Sequence, residues 1–173
     1  INLPVEIWQP IASGRTLEYI AAKGIKGMVA LTGEKLVEQL FHTYQETAAK
    51  AGRQLAVGQD MALGIGFYLG DTPQQAMDSV RPYHDERYKW FAPFGFVRYT
   101  DSQGRAWGTP GAPSGAPSIE DGIEQKVWAC GPPETVVGML REFEERYPGL
   151  EDIILQWPEG MPWPEFKDQL SRF

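Results

Sequence analysis

The chain has 173 residues, 42% of them hydrophobic and 23% charged, with a formal net charge of −7. That length supports one domain with a sizeable core, and the acidic balance disfavours nucleic-acid backbones and anionic membranes as partners, because both need clustered Lys and Arg. No apolar run approaches the ~20 residues of a membrane span, nothing reads as a signal peptide, and the single cysteine, Cys130, allows no internal disulfide or cysteine zinc cage, so a cytoplasmic setting is expected.

In chain order, Pro4 to Ala12 reads as a short buried strand, bounded by proline and by the turn Ser13-Gly14-Arg15-Thr16. Thr16 to Lys23 reads as a helix with Thr16 as its N-cap and Gly24 as its stop. "KGMVALTG" is a second apolar strand. Leu36, Val37, Leu40, Phe41, Tyr44 and Ala48 then form a helical stripe closed by Gly52. "LAVGQDMALGIGFYLG" is a third strand region, whose internal glycines predict a bulge or a close backbone approach. Pro73 opens a helix with Ala76, Met77 and Val80 inward. "GPPETVVGMLREFEERYPG" is another, with Val136, Met139, Leu140, Phe143 and Tyr147 on one face. "EDIILQW" is a fourth strand, and a last helix carries Phe166, Leu170 and Phe173 on one side.

Strands alternating with amphipathic helices predict an α/β fold with a parallel sheet of about four strands, in a single domain over residues 1–173. The exception is Phe94 to Gly122, rich in Gly, Pro and Ser and without hydrophobic period. A stretch this long is either a functional lid or a disordered insertion. The chain starts at Ile1 and stops in mid-helix by pattern, so a piece of a longer polypeptide is expected.

The turn at Ser13–Thr16 supports two readings. It is a helix cap with a glycine in it, or it holds a phosphate. A helix start offers unpaired N–H groups and a positive dipole end, Gly14 allows close approach, Ser13 and Thr16 carry hydroxyls, and Arg15 adds a charge-assisted bond. His42 reads as structural, His84 as part of a solvated helix face, and Cys130 as a small buried hydrophobe. No metal-ligand spacing, Cys-His pair or nucleophile elbow is present, so no metal is expected.

"IASGRTLEYIAAKG" resembles the phosphate-binding segment of the bacterial luciferase-like flavin monooxygenases, "GIGFYLGDTPQQAMDSV" that family's late strand with its Gly-Asp and helix, and "VWACGPPETVVGMLREFEERYPGLEDIILQWPEG" its closing unit. The resemblance spans nearly the whole chain in the right order. It implies a (βα)8 TIM barrel, of which a chain with about four βα units supplies the C-terminal half. It further implies reduced FMN as cofactor, supplied by a flavin reductase, and oxygen activation to oxidise a small organic substrate. The backbone of Ala12 with Ser13, Gly14, Arg15 and Thr16 would hold the flavin phosphate. Met28 and Ala30 would line the ring, and residues 94–122 would be the mobile lid. The implied partners are an N-terminal barrel half, on the same or a separate chain, and a further copy in a homo-oligomer. The family's active-site histidine belongs to the strands this chain lacks, so no residue here is assigned a catalytic role. A deazaflavin-dependent hydride transferase, a non-catalytic flavin-binding protein and a self-contained phosphate-binding module are the alternatives.

Overall fold

The computed structural model describes residues 5–11, 13–101, 103–105, 107 and 115–173. Their elements run β1 (Trp8–Pro10), α1 (Gly14–Lys23), β2 (Lys26–Ala30), α2 (Glu34–Lys50), β3 (Met61–Leu69), α3 (Pro73–Phe91), a single 3-10 turn (Ala92–Phe94), α4 (Ile119–Glu124), β4 (Trp128–Gly131), α5 (Pro133–Arg146), β5 (Asp152–Gln156) and α6 (Trp163–Arg172). Every strand pairing is parallel: β1 with β2, β2 with β3, and β3 with both β4 and β5. The parallel α/β sheet of the sequence reading is therefore present, with five strands instead of about four.

The extra strand is β4, four residues long and ended by Gly131 and two prolines, too short to show a hydrophobic period. It exists because β3 is long. Residues Met61 to Gly64 of β3 pair with β2, and Gly66 to Leu69 pair with β4 on the same edge further along. β5 takes the opposite edge, from Ala62 to Gly66.

Local chemistry sets the helix ends. Ser13, in extended conformation, caps α1 by accepting from the Thr16 N–H at 3.2 Å. This corrects the expected cap at Thr16: both residues carry hydroxyls, but only Ser13 leaves the helical backbone region. Gly24 stops α1 at φ 72°, a conformation open to glycine at little cost. Thr72 caps α3, with Pro73 in its first turn. Ser118 and Asp121 form a capping box that starts α4.

Side chains alternate across the sheet, and the two faces differ. Val29, Met61, Leu63, Ile65, Ile153 and Leu155 point into a core shared with α1, α2 and α5. There Phe41 meets Tyr147 edge-on at 4.9 Å. Further along, Phe67, Leu69 and Ala129 pack on the same side with Val136, Met161 and Phe166. Of the last helix's expected apolar stripe, Phe166 is buried, but Leu170 and Phe173 are 42% and 55% exposed. The opposite face is covered only beyond Gly66, where α3 and α4 close over Trp128 and Cys130. Below that point Met28 and Ala30 of β2, Ala62 and Gly64 of β3 and Ile154 and Gln156 of β5 share a face on which no helix of the described residues packs. No helix of the described residues is long and apolar enough to cross a membrane.

Candidate functional site

The sheet being parallel, all strands end at one rim, where α/β proteins bind their ligands. β1 ends at Pro10, the chain passes Ile11, and α1 begins at Gly14. The Ser13 and Thr16 hydroxyls lie 3.0 Å apart at that helix start. Ser13, Gly14 and Arg15 are exposed, and a Cβ on Gly14 would meet nothing within 4 Å. No acidic residue occupies the first turn of α1. Ala12, expected to contribute its backbone, lies outside the described residues. Ser13 thus performs the capping role outright, and the open space before the N–H groups of the first turn has the donor chemistry an anion needs.

Arg98, which the sequence reading did not single out, stands at the same rim. An isolated parallel bridge joins it to Thr32, and the Gly33 N–H donates to its carbonyl at 2.9 Å. Its side chain crosses back to donate from Nη1 to the Ile11 carbonyl at 2.9 Å. The guanidinium is half-buried, and burial lowers its pKa. Among the described residues no carboxylate pairs with it. The approach spans 87 positions of sequence, so no local pattern announces it.

Met28 and Ala30 do not sit together at the rim. Ala30 ends β2, whereas Met28 lies lower, beside Glu6, Trp8, Ala62, Asp152 and Ile154 in a shallow depression at the foot of the uncovered face. The Lys26 ammonium donates to Glu6 at 2.8 Å there and lies 4.9 Å over the Trp8 ring. That hydrogen bond raises the Lys26 pKa and lowers that of Glu6.

The 94–122 stretch carries more structure than its composition suggests. Val97, Tyr99 and Trp107 are buried, and α4 begins within it. Residues 102, 106 and 108–114 lie outside the described set. Tyr99 is held by His84, which corrects the reading of that histidine as solvated: it is 0% exposed. His84 Nδ1 pairs with Asp85 at 3.0 Å and Nε2 with the Tyr99 hydroxyl at 3.1 Å. Burial lowers the His84 pKa against the pull of Asp85. Cys130 is buried as expected, its thiol pushed up to about 12 by desolvation.

The sequence matches the family model for luciferase-like monooxygenases over residues 3–148. No curated protein matches it by sequence. Among solved structures it resembles monooxygenase RslO1 of Streptomyces bottropensis, with a TM-score of 0.65 and 17% identity over 97% of this chain and 46% of that one. It also resembles the oxygenating constituent of 3,6-diketocamphane monooxygenase from Pseudomonas putida, solved with FMN (TM-score 0.66, 17% identity, 96% of this chain, 44% of that one). A third likeness is an F420-dependent secondary alcohol dehydrogenase (TM-score 0.57, 11% identity, 89% and 43%). The chain thus spans less than half the length of these three structures. A family match over most of its length, carried on a parallel α/β sheet with one face covered and the other bare, places the chain in the luciferase-like monooxygenase family, with the architecture of part of that family's TIM barrel.

Proposed function

We propose that this chain supplies the phosphate grip and one wall of the flavin site in an FMN-dependent monooxygenase that oxidises a small organic substrate. The observation that carries this reading is the start of α1. Two hydroxyls, free helix N–H groups and no acidic residue face open space at the carboxyl end of a parallel strand. That donor set fits a phosphate monoester, and Arg98 adds a positive group beside it that no carboxylate among the described residues neutralises. Reduced flavin, when bound, supplies the oxygen chemistry. The chain's own residues bind and enclose. Ser13, Gly14, Arg15 and Thr16, with the Ala12 backbone, anchor the phosphate. Ala30 lines the upper floor of the uncovered face and Met28 its lower part. The segment 94–122, tied down at Tyr99 by His84, closes over the site and keeps water out. A second barrel half covers the bare face, a flavin reductase supplies the reduced cofactor, and the whole protein assembles as a homo-oligomer.

The likeness to an F420-dependent enzyme favours a second reading, in which a deazaflavin occupies the same grip and the reaction is hydride transfer. Titration of the complete protein with FMN, riboflavin and a deazaflavin, followed by flavin fluorescence, decides between them. With FMN as ligand, Arg15→Ala and Thr16→Val weaken binding, by about tenfold or more at Arg15, since a charge-assisted hydrogen bond contributes ~1.5–3 kcal/mol. Riboflavin, which lacks the phosphate, binds parent and variants alike. Unchanged FMN affinity in both variants would remove the phosphate assignment.

A further inference from the structure

We infer that Gln156 reads the polar edge of the ligand seated on the uncovered face; this deepens the flavin reading above and rests on it. The residues of that face form layers fixed by strand register. The foot is charged, with Glu6, Lys26 and Asp152. Above it come Met28, Ala62 and Ile154. Toward the rim β2 and β3 present Ala30 and Gly64, so the floor beside Gln156 holds nothing larger than a methyl group up to Gly66, where the Trp128 ring covers the face. Gln156 stands at the rim end of β5, in register with Gly66. Its side chain leans over this floor: a Cβ built on Gly64 would lie 3.2 Å from the Gln156 Nε2.

The carboxamide makes no hydrogen bond to any described residue, although the side chain is half-buried. Half-buried amides left without a protein partner need another one, from solvent or a ligand. The other polar side chain further along this face, Tyr68, is committed, its hydroxyl donating to Glu165 at 2.9 Å. Gln156 therefore brings two N–H donors and a carbonyl acceptor, all free, to a floor of glycine and alanine. That is the complement of a flat heteroaromatic ring whose edge alternates carbonyl, ring nitrogen and N–H, as the isoalloxazine does.

The test uses the complete protein, with riboflavin and FMN titrated against the parent, Gln156→Leu, Gln156→Glu and Arg15→Ala. Loss of the amide contacts is expected to weaken riboflavin and FMN equally, by about three- to tenfold, because both ligands share the ring. Arg15→Ala weakens FMN alone. Unchanged affinity of Gln156→Leu for both flavins, while Arg15→Ala still weakens FMN, overturns the role of Gln156 and leaves the phosphate grip standing. A parent that binds neither flavin overturns both. Should Gln156→Leu not fold, Gln156→Glu, equal in length but stripped of the N–H donors, carries the same comparison.

Discussion

The two faces of the sheet are built from alternate residues of the same strands, and they are finished to different degrees. On one face Val29, Leu63 and Ile65 lie under three helices, with Phe41 and Tyr147 in contact above them. On the other, Met28, Ala30, Ala62, Gly64 and Gln156 carry no helix among the described residues, and the foot of the face is edged by an ion pair between half-buried Lys26 and exposed Glu6. Parallel sheets are ordinarily buried on both sides. A bare face floored by glycine and alanine limits the apolar area left in water and leaves room for whatever lies on it. The first face is where the chain's stability resides. The second is where the proposed flavin site and the proposed second barrel half would lie.

The largest expected effect tests that division directly. Phe41→Ala removes a fully buried ring from the covered face and is expected to cost about 3–5 kcal/mol of unfolding free energy. Met28→Ala, on the bare face, is expected to cost about 1 kcal/mol or less. Urea denaturation measures both, and equal losses would erase the distinction between the faces.

A smaller effect locates the boundary where the second face gains its cover. A Cβ on Gly66 would lie 2.3 Å from Trp128 Cδ2, inside the ring that α3 and α4 close over. Gly66→Ala is therefore expected to lower stability by about 1–3 kcal/mol, with a change in tryptophan fluorescence. Gly14→Ala, with nothing within 4 Å, is the control and should leave the melting temperature nearly unchanged.

The smallest effect concerns how that cover is held. His84 has a lowered pKa in the folded protein, so the unfolded chain binds its proton more readily. Its contribution is full above the unfolded value of about 6.5 and is lost as pH falls below it. The melting temperature is expected to drop between pH 7 and pH 5, and His84→Gln should flatten that slope. The Glu120 carboxylate, held at about 2 by Arg81, titrates too low to mimic this. A slope unchanged in His84→Gln would show that the Asp85–His84–Tyr99 chain does not hold the cover in place.

Much of the fold follows from local pattern. The stripe of α2, the proline that opens α3 and the glycine that ends α1 each act within a few residues, and each is present in the structure. The turn at Ser13–Thr16 was legible for the same reason, apart from which hydroxyl caps the helix. What escaped depends on register and distance. β4 is a strand only because β3 runs past β2 and offers four more residues of edge. The predicted close approach in β3 is present at Gly64 and Gly66, yet the partners Ala30 and Trp128 lie on other strands. His84 has charged neighbours in sequence and aromatic ones in space, Tyr88 at 4.7 Å and Trp128 at 5.7 Å. Arg98 and Gln156 became visible only once the strands were aligned side by side.

One side chain limits where further strands can be added. Past the end of β5, the edge of β3 is occupied by the amide of Gln169 on α6, which donates to the Leu69 carbonyl at 3.1 Å and accepts from the Leu69 N–H at 2.5 Å. A single glutamine thus stands in for one peptide unit of a neighbouring strand. Backbone edges left unpaired recruit other chains, and this one has been filled from within. A further strand finds no vacancy on β3 there; among the described residues the strands with one unpaired edge are β1, β4 and β5. In that sense α6 acts as a stopper on the central strand, closing with one side chain an edge that a strand would otherwise take.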